Sequence, residues 1–253
     1  MSALPGALEW DYSALAEHYR FRAPYAAAAL AQLFERAALS PGSDCVDIGA
    51  GTGNLTAALV AHGLRVIAVE PNDSMRAIGE RTVPQARWLA RRGEATGLPR
   101  HACRLLAFGS SFNVIPASAA LEEAARLVRP GGWLACLWNH RDLDDPLQVA
   151  LQEAIRKHVP GYRHGRRRED PRPLFAADGR FGDIGCIEAA FRHVVTATDF
   201  VAGFRAHATL VRQAGDALPQ VLEELARVLA GSGRITVPFV TRIFVARRSN
   251  RPE

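Results

Sequence analysis

A glycine-rich turn between an apolar run and a helical pattern constrains this chain more than any other feature of its sequence. Residues 45–54 read Cys-Val-Asp-Ile-Gly-Ala-Gly-Thr-Gly-Asn, with an acid at Asp47 and glycines at Gly49, Gly51 and Gly53. A strand that enters such a turn before a helix brings backbone N–H groups close to a ligand, because no Cβ stands in the way. The segment predicts a strand–turn–helix unit with a nucleotide-type pocket.

The spacing of these glycines disfavours two common phosphate-binding patterns. The dinucleotide pattern Gly-x-Gly-x-x-Gly requires a glycine at its sixth position, where this chain has Asn54. The Gly-x4-Gly-Lys-Ser/Thr phosphate loop fails as well, because no Lys-Ser or Lys-Thr follows. A nicotinamide dehydrogenase is therefore a disfavoured alternative, and no Tyr-x-x-x-Lys motif supports it.

The pattern Asp-x-Gly-x-Gly-x-Gly at 47–53 instead resembles the first motif of class I methyltransferases, which use S-adenosylmethionine. In that family the glycine turn passes under the methionine and ribose parts of the cofactor. The resemblance implies an S-adenosylmethionine site that includes Asp47, Gly49, Gly51, Gly53 and Asn54.

A second acid lies where a ribose-binding carboxylate is expected. Glu70 ends the apolar run 64–69 and lies 21 positions after Gly49. A βαβ unit places a carboxylate there, and a carboxylate can accept two hydrogen bonds from a vicinal diol. The residues that follow resemble the family's acid-Pro-x-x-x-Met stretch, which adds Pro71 and Met75 to the implied cofactor site.

The segment 18–25, His-Tyr-Arg-Phe-Arg-Ala-Pro-Tyr, resembles the Tyr-x-x-Arg-x-x-Tyr entry of methyltransferases of the ubiquinone-pathway group. The resemblance implies that Arg22, or a nearby tyrosine such as Tyr19, reaches the methionine carboxylate of the cofactor. A guanidinium can bind a carboxylate through two hydrogen bonds. A surface helix with packed tyrosines and an extended arginine remains an alternative interpretation.

The segment 93–99, Gly-Glu-Ala-Thr-Gly-Leu-Pro, resembles the family's loop after the third strand. In the family the acid and the next backbone N–H contact the adenine. The resemblance therefore assigns Glu94 and the N–H of Ala95 to the adenine, whose exocyclic amine a carboxylate can bind.

The acceptor side departs from the family pattern. The loop at 100–103 is short, and the exit of the fourth strand lacks the Asn-Pro-Pro-Tyr of amino-group methyltransferases. Ser110, Ser111 and Asn113 are predicted at the carboxyl end of that strand, where substrate and methyl group should meet, and Ser111 and Asn113 are the candidate catalytic residues there. His140 follows the fifth strand and is the histidine that we nominate as a general base. A capped polar turn and a hydrogen-bonded surface histidine remain the alternatives.

Strand-like and helical patterns alternate over the first 140 residues, which indicates a parallel sheet with helices on both faces. We predict an α/β fold with a doubly wound, seven-stranded, mostly parallel sheet and a C-terminal antiparallel hairpin. A single domain, 1–253, would comprise a helical preface (1–40), a cofactor-binding core (41–140), a substrate-lid insertion (140–182) and the rest of the sheet (183–253). Pro238 fits an edge position or a bulge in the last strand.

Composition indicates an ordinary globular protein, with 48% hydrophobic and 23% charged residues and a net charge of +5. Neither a membrane-spanning run nor a secretory signal is visible, so a cytoplasmic protein is the default expectation. The four cysteines are predicted to be small core residues, and we predict no metal site. The arginine-rich segment 163–172 is interpreted as a solvated loop, so no nucleic acid partner is expected.

These patterns together predict methyl transfer from S-adenosylmethionine to an O or N atom of a small molecule, by in-line displacement. The preface, through Trp10, Tyr12 and Tyr19, and the insertion are expected to close a largely apolar pocket. The main alternative is a cofactor-binding protein of the same fold that has lost methyl transfer or catalyses a different reaction. An RNA methyltransferase is less favoured, and a monomer or a homodimer is expected.

Overall fold

The computed structural model describes residues 12–165 and 168–250. The strands of these residues are β1 (Asp44–Ile48), β2 (Arg65–Val69), β3 (Arg87–Leu89), β4 (Cys103–Gly109), β5 (Val128–Arg141), β6 (Phe181–Thr196) and β7 (Arg234–Arg248). The α-helices are α1 (Ala27–Arg36), α2 (Asn54–Ala61), α3 (Asp73–Thr82), α4 (Ala117–Leu127), α5 (Pro146–His158), α6 (Arg172–Asp178), α7 (Ala197–Gly203), α8 (Ala208–Ala214) and α9 (Leu218–Val228).

Across residues 12–165 and 168–250 the strands form one seven-stranded sheet in the order β3-β2-β1-β4-β5-β7-β6. The first five strands are parallel to their neighbours, and β7 runs antiparallel to both β5 and β6. This confirms the predicted mostly parallel sheet with a C-terminal antiparallel hairpin. The strand order reverses between β1 and β4, and ligands of open α/β sheets bind at that crevice.

Helices cover both faces of the sheet because its central strands are apolar on both sides. Within β4, Leu105 packs with α1 and α2 on one face, whereas Leu106 packs with α4 and α6 on the other. Successive side chains of a strand point to opposite faces, so neighbouring apolar residues serve two separate cores. The apolar runs of the sequence therefore form parallel strands that are buried on both faces of the sheet.

The preface is not one helix. Within the described residues, the predicted helical preface (1–40) forms a 3-10 helix at Ser13–Phe21 and then α1, with an extended segment between them. Pro24 lies in that segment, and a proline disfavours the helical conformation of the residue before it. This break turns the 3-10 helix away from α1.

Strands β5, β6 and β7 are much longer than β1 to β4 and extend beyond the crevice. They have 14, 16 and 15 residues, whereas β4 has seven. A third apolar core, which includes residues of α5, α7, α8 and α9, packs with this extension. The extension and these helices form a wall beside the crevice, and that wall positions the second half of the site.

Pro238 lies in β7, which is an internal strand and not an edge of the sheet. The pairing of β7 with β5 nevertheless ends at the pair Phe239 and Arg141, one residue away. One residue further, the Asp142 N–H still donates to the Pro238 carbonyl (3.2 Å), and Pro238 pairs regularly with Arg192 of β6. The predicted edge or bulge position is therefore wrong, and the missing N–H of Pro238 falls where the pairing with β5 ends.

Among the described residues, no helix has both the length and the apolar character that crossing a membrane requires.

Candidate cofactor and substrate site

The glycine turn has a backbone conformation that favours glycine at Gly49, Gly51 and Gly53. Gly49, Gly51 and Gly53 have φ values of 65°, 59° and 90°. A Cβ on Gly49 would lie 2.5 Å from the Cβ of Ser111, whereas a Cβ on Gly51 would meet nothing within 4 Å. Gly49 is thus required for packing inside the protein, while Gly51 borders open space in which a ligand can approach the backbone.

Glu70 ties the end of β2 to this turn. Its carboxylate accepts hydrogen bonds from the backbone N–H of Gly51 (2.9 Å) and from that of Asn72 (2.8 Å). The residue is only 7% exposed. Burial raises the pKa of Glu70, and the two backbone hydrogen bonds partly oppose that shift. Each carboxylate oxygen keeps a further lone pair, so the group can still accept from a ligand hydroxyl.

Asp47 supports the turn from within the protein. It is fully buried, and its Oδ2 accepts a 2.7 Å hydrogen bond from the hydroxyl of Thr56 in α2. Burial raises the pKa of Asp47 to about 7, although the Thr56 hydrogen bond opposes the shift. Its Oδ1 has no hydrogen-bond partner among residues 12–165 and 168–250. Asp47 therefore joins β1 to α2 and carries an electrostatic penalty when it is ionised.

The preface lies against both halves of the nucleotide crevice. The side-chain amide of Asn72 donates to the Ser13 hydroxyl (3.0 Å), and that of Asn54 donates to the Ala23 carbonyl (3.4 Å). Burial is the main cause that raises the pKa of the Tyr12 hydroxyl to about 12, and the charge of the nearby Glu70 also raises it. These contacts place the preface over the turn and the β2 exit, while Trp10 lies outside the described residues.

The side chain of Asn72 caps the N-terminus of α3 beside the crevice. Asn72 Oδ1 accepts a hydrogen bond from the Met75 N–H (3.0 Å) at the start of α3. Met75 is buried, with 2% exposure, and Pro71 is exposed. The cap fixes the direction of the chain that leaves Glu70.

The side chains of Arg22 and Tyr19 lie next to each other. The guanidinium carbon of Arg22 lies 5.0 Å from the centre of the Tyr19 ring. Arg22 also lines a cavity at the end of β5, which we describe below. Its role toward the methionine carboxylate therefore stays a prediction.

The two residues assigned to the adenine have partners within the protein. The Glu94 carboxylate accepts a 2.6 Å hydrogen bond from Arg92, and the Ala95 N–H donates to the Arg92 carbonyl (3.1 Å). A ligand would share the Glu94 carboxylate with Arg92 and would have to displace the Ala95 contact. The adenine assignment stays a prediction for both residues.

The three candidate catalytic residues are not brought together. Ser111 donates to the Ile48 carbonyl and lies beneath Gly49, so its hydroxyl serves the packing of the turn. Asn113 is exposed, and its side-chain oxygen accepts from the Trp138 indole N–H (3.2 Å). His140 lines the cavity and is 6% exposed. Of the three, His140 alone lies in that cavity.

Ser110 lies where the sequence predicts it, and its backbone conformation is unusual. It has a φ of 64°, which a non-glycine residue rarely adopts, and it lies at the carboxyl end of β4. Its hydroxyl and that of Tyr25 are 3.2 Å apart. The preface therefore reaches the position where the fourth strand meets the crevice, and no sequence pattern indicated the strained backbone there.

A cavity of about 120 Å³ opens at the far end of β5. The preface, the end of β5, the first part of the insertion, the α7–α8 segment and β7 all contribute to its lining. The lining residues are Phe21, Arg22, Ala23, Asn139, His140, Arg141, Leu143, His164, Arg168, Phe200, Gly203, Phe204, Ala206, His207 and Phe239.

Two features of this cavity differ from the sequence-based expectations. Arg168 and His164 line it, so the prediction that the 163–172 segment is a solvated loop is wrong for these two residues. The α7–α8 segment, which the sequence assigned to the rest of the sheet, supplies Phe200, Phe204 and His207. Their i, i+4, i+7 spacing is that of one helix face and was the available signal. Arg166 and Arg167 lie outside the described residues.

Comparisons with known proteins show what the chain is similar to. Residues 46–136 match the family model of a methyltransferase domain. An uncharacterised methyltransferase of Mycobacterium bovis is 36% identical over 97 residues, which are 38% of this chain and 40% of the relative. A ubiquinone/menaquinone biosynthesis C-methyltransferase of Caulobacter vibrioides is 28% identical over 66% of this chain and 74% of that protein. The chain thus spans less than half the length of the Mycobacterium relative.

A solved structure from Anabaena variabilis, named as a methyltransferase of an antibiotic biosynthesis pathway, has the same fold. It aligns with a TM-score of 0.59 and 20% identity, over 87% of this chain and 98% of its own. Residues 46–136 of the chain are therefore similar to a methyltransferase domain, and the chain as a whole shares the fold of the Anabaena structure.

Proposed function

We propose that this protein transfers a methyl group from S-adenosylmethionine to an O or N atom of a small molecule that binds in the cavity at the end of β5. The observation that carries the proposal is the pairing of Glu70 with the Gly51 N–H beside open space at Gly51. The pairing orients a buried carboxylate toward a ligand diol. The Cβ-free turn lets the same ligand contact the backbone.

The residues present fit S-adenosylmethionine. Glu70 would hold the ribose, the turn from Gly49 to Gly53 would pass under the methionine and ribose, and Arg22 would bind the methionine carboxylate. When bound, the cofactor supplies an activated methyl group on a sulfonium. The protein then has to hold the acceptor in line with that methyl group and exclude water.

The cavity supports a small-molecule acceptor, because phenylalanine rings and a volume of about 120 Å³ suit a compact apolar compound. For a substrate whose acceptor hydroxyl lies beside His140, that histidine would remove the proton of a poorly acidic hydroxyl. The Caulobacter relative is a C-methyltransferase by name, so a carbon acceptor is the competing outcome of product analysis. A monomeric or homodimeric state and the absence of a nucleic acid partner stay predictions.

Two measurements test the proposal. In titration calorimetry, S-adenosylhomocysteine should bind and nicotinamide dinucleotides should bind far more weakly; the reverse order would exclude a methyltransferase cofactor site. Incubation with S-adenosylmethionine labelled in its methyl group and with fractionated metabolites should then label a small molecule. Cofactor binding without any labelled product would favour the alternative protein that has lost methyl transfer.

A further inference from the structure

The cavity at the end of β5 contains arginine side chains but no acidic side chain. Arg22, Arg141 and Arg168 belong to its lining, and the lining within residues 12–165 and 168–250 includes neither aspartate nor glutamate. The remaining wall is largely phenylalanine and small apolar residues. A cavity of this composition carries a net positive charge in an apolar surrounding.

The guanidinium of Arg141 packs against an aromatic ring and has no carboxylate partner among the described lining residues. Its guanidinium carbon lies 4.7 Å from the centre of the Phe204 ring, and among the described residues its side chain makes neither a hydrogen bond nor an ion pair. Burial lowers the pKa of Arg141, the Tyr162 hydroxyl opposes the shift, and the nearby Arg168 adds to it. A partly buried charge without a counter-ion is unfavourable unless a ligand compensates it.

Arg168 is held in place by the same strand end. Its Nη2 donates a 2.6 Å hydrogen bond to the Arg141 carbonyl, so the two residues are fixed beside each other. Burial also lowers the pKa of Arg168; Arg242 adds to that shift, whereas Tyr162 and the exposed Asp142 oppose it. Two neighbouring cations, one of them without any carboxylate partner, form a site for one anion.

These cations lie far from the place where the methyl group would arrive. Ser110 contacts the carbonyl of Leu137 in β5, and Arg141 follows Leu137 by four residues. At the rise of an extended strand, Arg141 lies about 13 Å further along β5. An anion at Arg141 is therefore separated from the methyl-transfer end of the crevice by roughly the length of a small aromatic molecule. His140 directly precedes Arg141, so a substrate bound in this orientation would have its anion beside His140 and would transfer the methyl group without that histidine as the base.

We propose that the substrate is a carboxylic acid with an aromatic or otherwise apolar body, whose carboxylate binds Arg141 and Arg168 while its other end faces the methyl donor. The inference rests on the proposed function for the identity of the reaction, but the acid site itself does not. A carboxylate matches the planar guanidinium through two hydrogen bonds. A phosphate dianion would carry a larger desolvation penalty among the phenylalanine rings.

The test uses three probes of similar shape with the full-length protein at constant ionic strength: 3-phenylpropionate, 3-phenylpropionamide and phenyl phosphate. Binding is measured by calorimetry in the presence of saturating S-adenosylhomocysteine. We expect the acid to bind about tenfold or more tightly than the amide, which corresponds to one hydrogen bond to a charged group. Equal binding of acid and amide would overturn the proposal, and tighter binding of phenyl phosphate would replace carboxylate by phosphate.

Variants separate a ligand site from a structural role. Arg141→Met should abolish the preference for the acid and should leave the melting temperature of the ligand-free protein equal or higher, because an uncompensated charge is removed. Arg141→Lys should keep a reduced preference, since lysine retains the charge without the two-point geometry. Arg87→Met, at an exposed arginine of β3, is the matched control and should change neither.

A lower melting temperature for Arg141→Met together with an unchanged acid preference would show that Arg141 is structural and would overturn the inference. The same samples are titrated with S-adenosylhomocysteine alone. Acid binding without cofactor binding would remove the methyltransferase proposal and leave the acid site intact. Cofactor binding without a preference for the acid would overturn the acid site and leave the methyltransferase proposal intact.

Discussion

The carboxylate of Glu70 accepts a 2.9 Å hydrogen bond from the backbone N–H of Gly51. The two residues are 19 positions apart in the chain and belong to different sequence motifs. Their hydrogen bond joins the end of β2 to the turn after β1. The acid that we propose for the ribose and the backbone that we propose for the cofactor are therefore joined by a hydrogen bond within the protein.

This unit predicts the effect of removing the acid. Glu70→Ala should weaken S-adenosylhomocysteine binding by about 1.5–3 kcal/mol, the range for hydrogen bonds to a charged group. Calorimetry measures the loss. Glu122→Ala, at an exposed glutamate of α4, should bind like the wild type. An unchanged affinity for Glu70→Ala would remove Glu70 from the site.

Substitutions of Gly49 and Gly51 should have different effects, the first mainly on stability and the second mainly on ligand binding. Gly49→Ala should reduce the free energy of unfolding by about 2–4 kcal/mol, because it combines a strained φ with overpacking against Ser111. Gly51→Ala should cost about 1 kcal/mol through its backbone alone, yet it should abolish S-adenosylhomocysteine binding. The same defect is expected, in stronger form, for Gly51→Val.

Gly42 provides the matched control for Gly51. It also has a positive φ with open space around its missing Cβ, but it lies in the turn before β1, at the opposite end of that strand. Gly42→Ala should lose as much stability as Gly51→Ala in urea unfolding and should bind the ligand normally. Equal binding by both variants would mean that no ligand approaches Gly51.

His140 should affect turnover and not cofactor binding if it acts as the base. His140→Ala should lower the rate of methyl transfer by about a hundredfold or more while the affinity for S-adenosylhomocysteine stays the same. His158→Ala, at the exposed end of α5, controls for histidine loss elsewhere. A rate near that of the wild type would indicate an acceptor that needs no base, such as an amine or an acidic hydroxyl.

The buried Asp47 should make stability depend on pH. Its pKa in the folded protein, about 7, lies above its ordinary value of 3.8. The proton is therefore bound more tightly in the folded state, and the stability present below about pH 4 is lost as the pH rises toward 7. Asp47→Asn removes this loss, so the variant should gain on the order of 2–4 kcal/mol relative to the wild type between pH 4 and pH 8.

Urea unfolding at the two pH values measures this difference. Asp144→Asn, at an exposed aspartate, should show the same pH dependence as the wild type. A pH-independent difference between Asp47→Asn and the wild type would mean that Asp47 is ionised in the folded protein without penalty.

Most of the parallel half of the fold could be predicted from the sequence. The apolar run 43–48 became β1, and the run 64–69 became β2, because both lie between clear turn signals and have the length of buried strands. Cys45, Cys103 and Cys136 are buried, as small apolar residues at strand positions should be. The ends of the helices were harder to predict in the preface, where the helical pattern of the sequence runs past Pro24 but the structure has an extended segment there.

The substrate half of the site could not be predicted to the same depth. His140 was visible as a polar residue after a strand, but nothing in the sequence showed that Arg168 hydrogen-bonds to Arg141, 27 positions before it and directly after His140. Likewise, the buried role of Ser111 depends on the missing side chain of Gly49, which lies in another strand's turn.

The sequence by itself determined the strand–turn–helix unit, the acid that follows β2 and the alternation of the parallel sheet, because these depend on local periodicity and on the backbone freedom of glycine. Only the tertiary structure decided which side chains line the cavity. Arg22, Arg141, Arg168 and Phe204 come from four separate segments, and their proximity depends on how far β5 and β7 extend beyond the crevice and on how α7 and α8 pack against that extension. Long-range packing of this kind leaves no periodic signal in a single sequence, so the positive charge of the cavity became evident only in the folded chain.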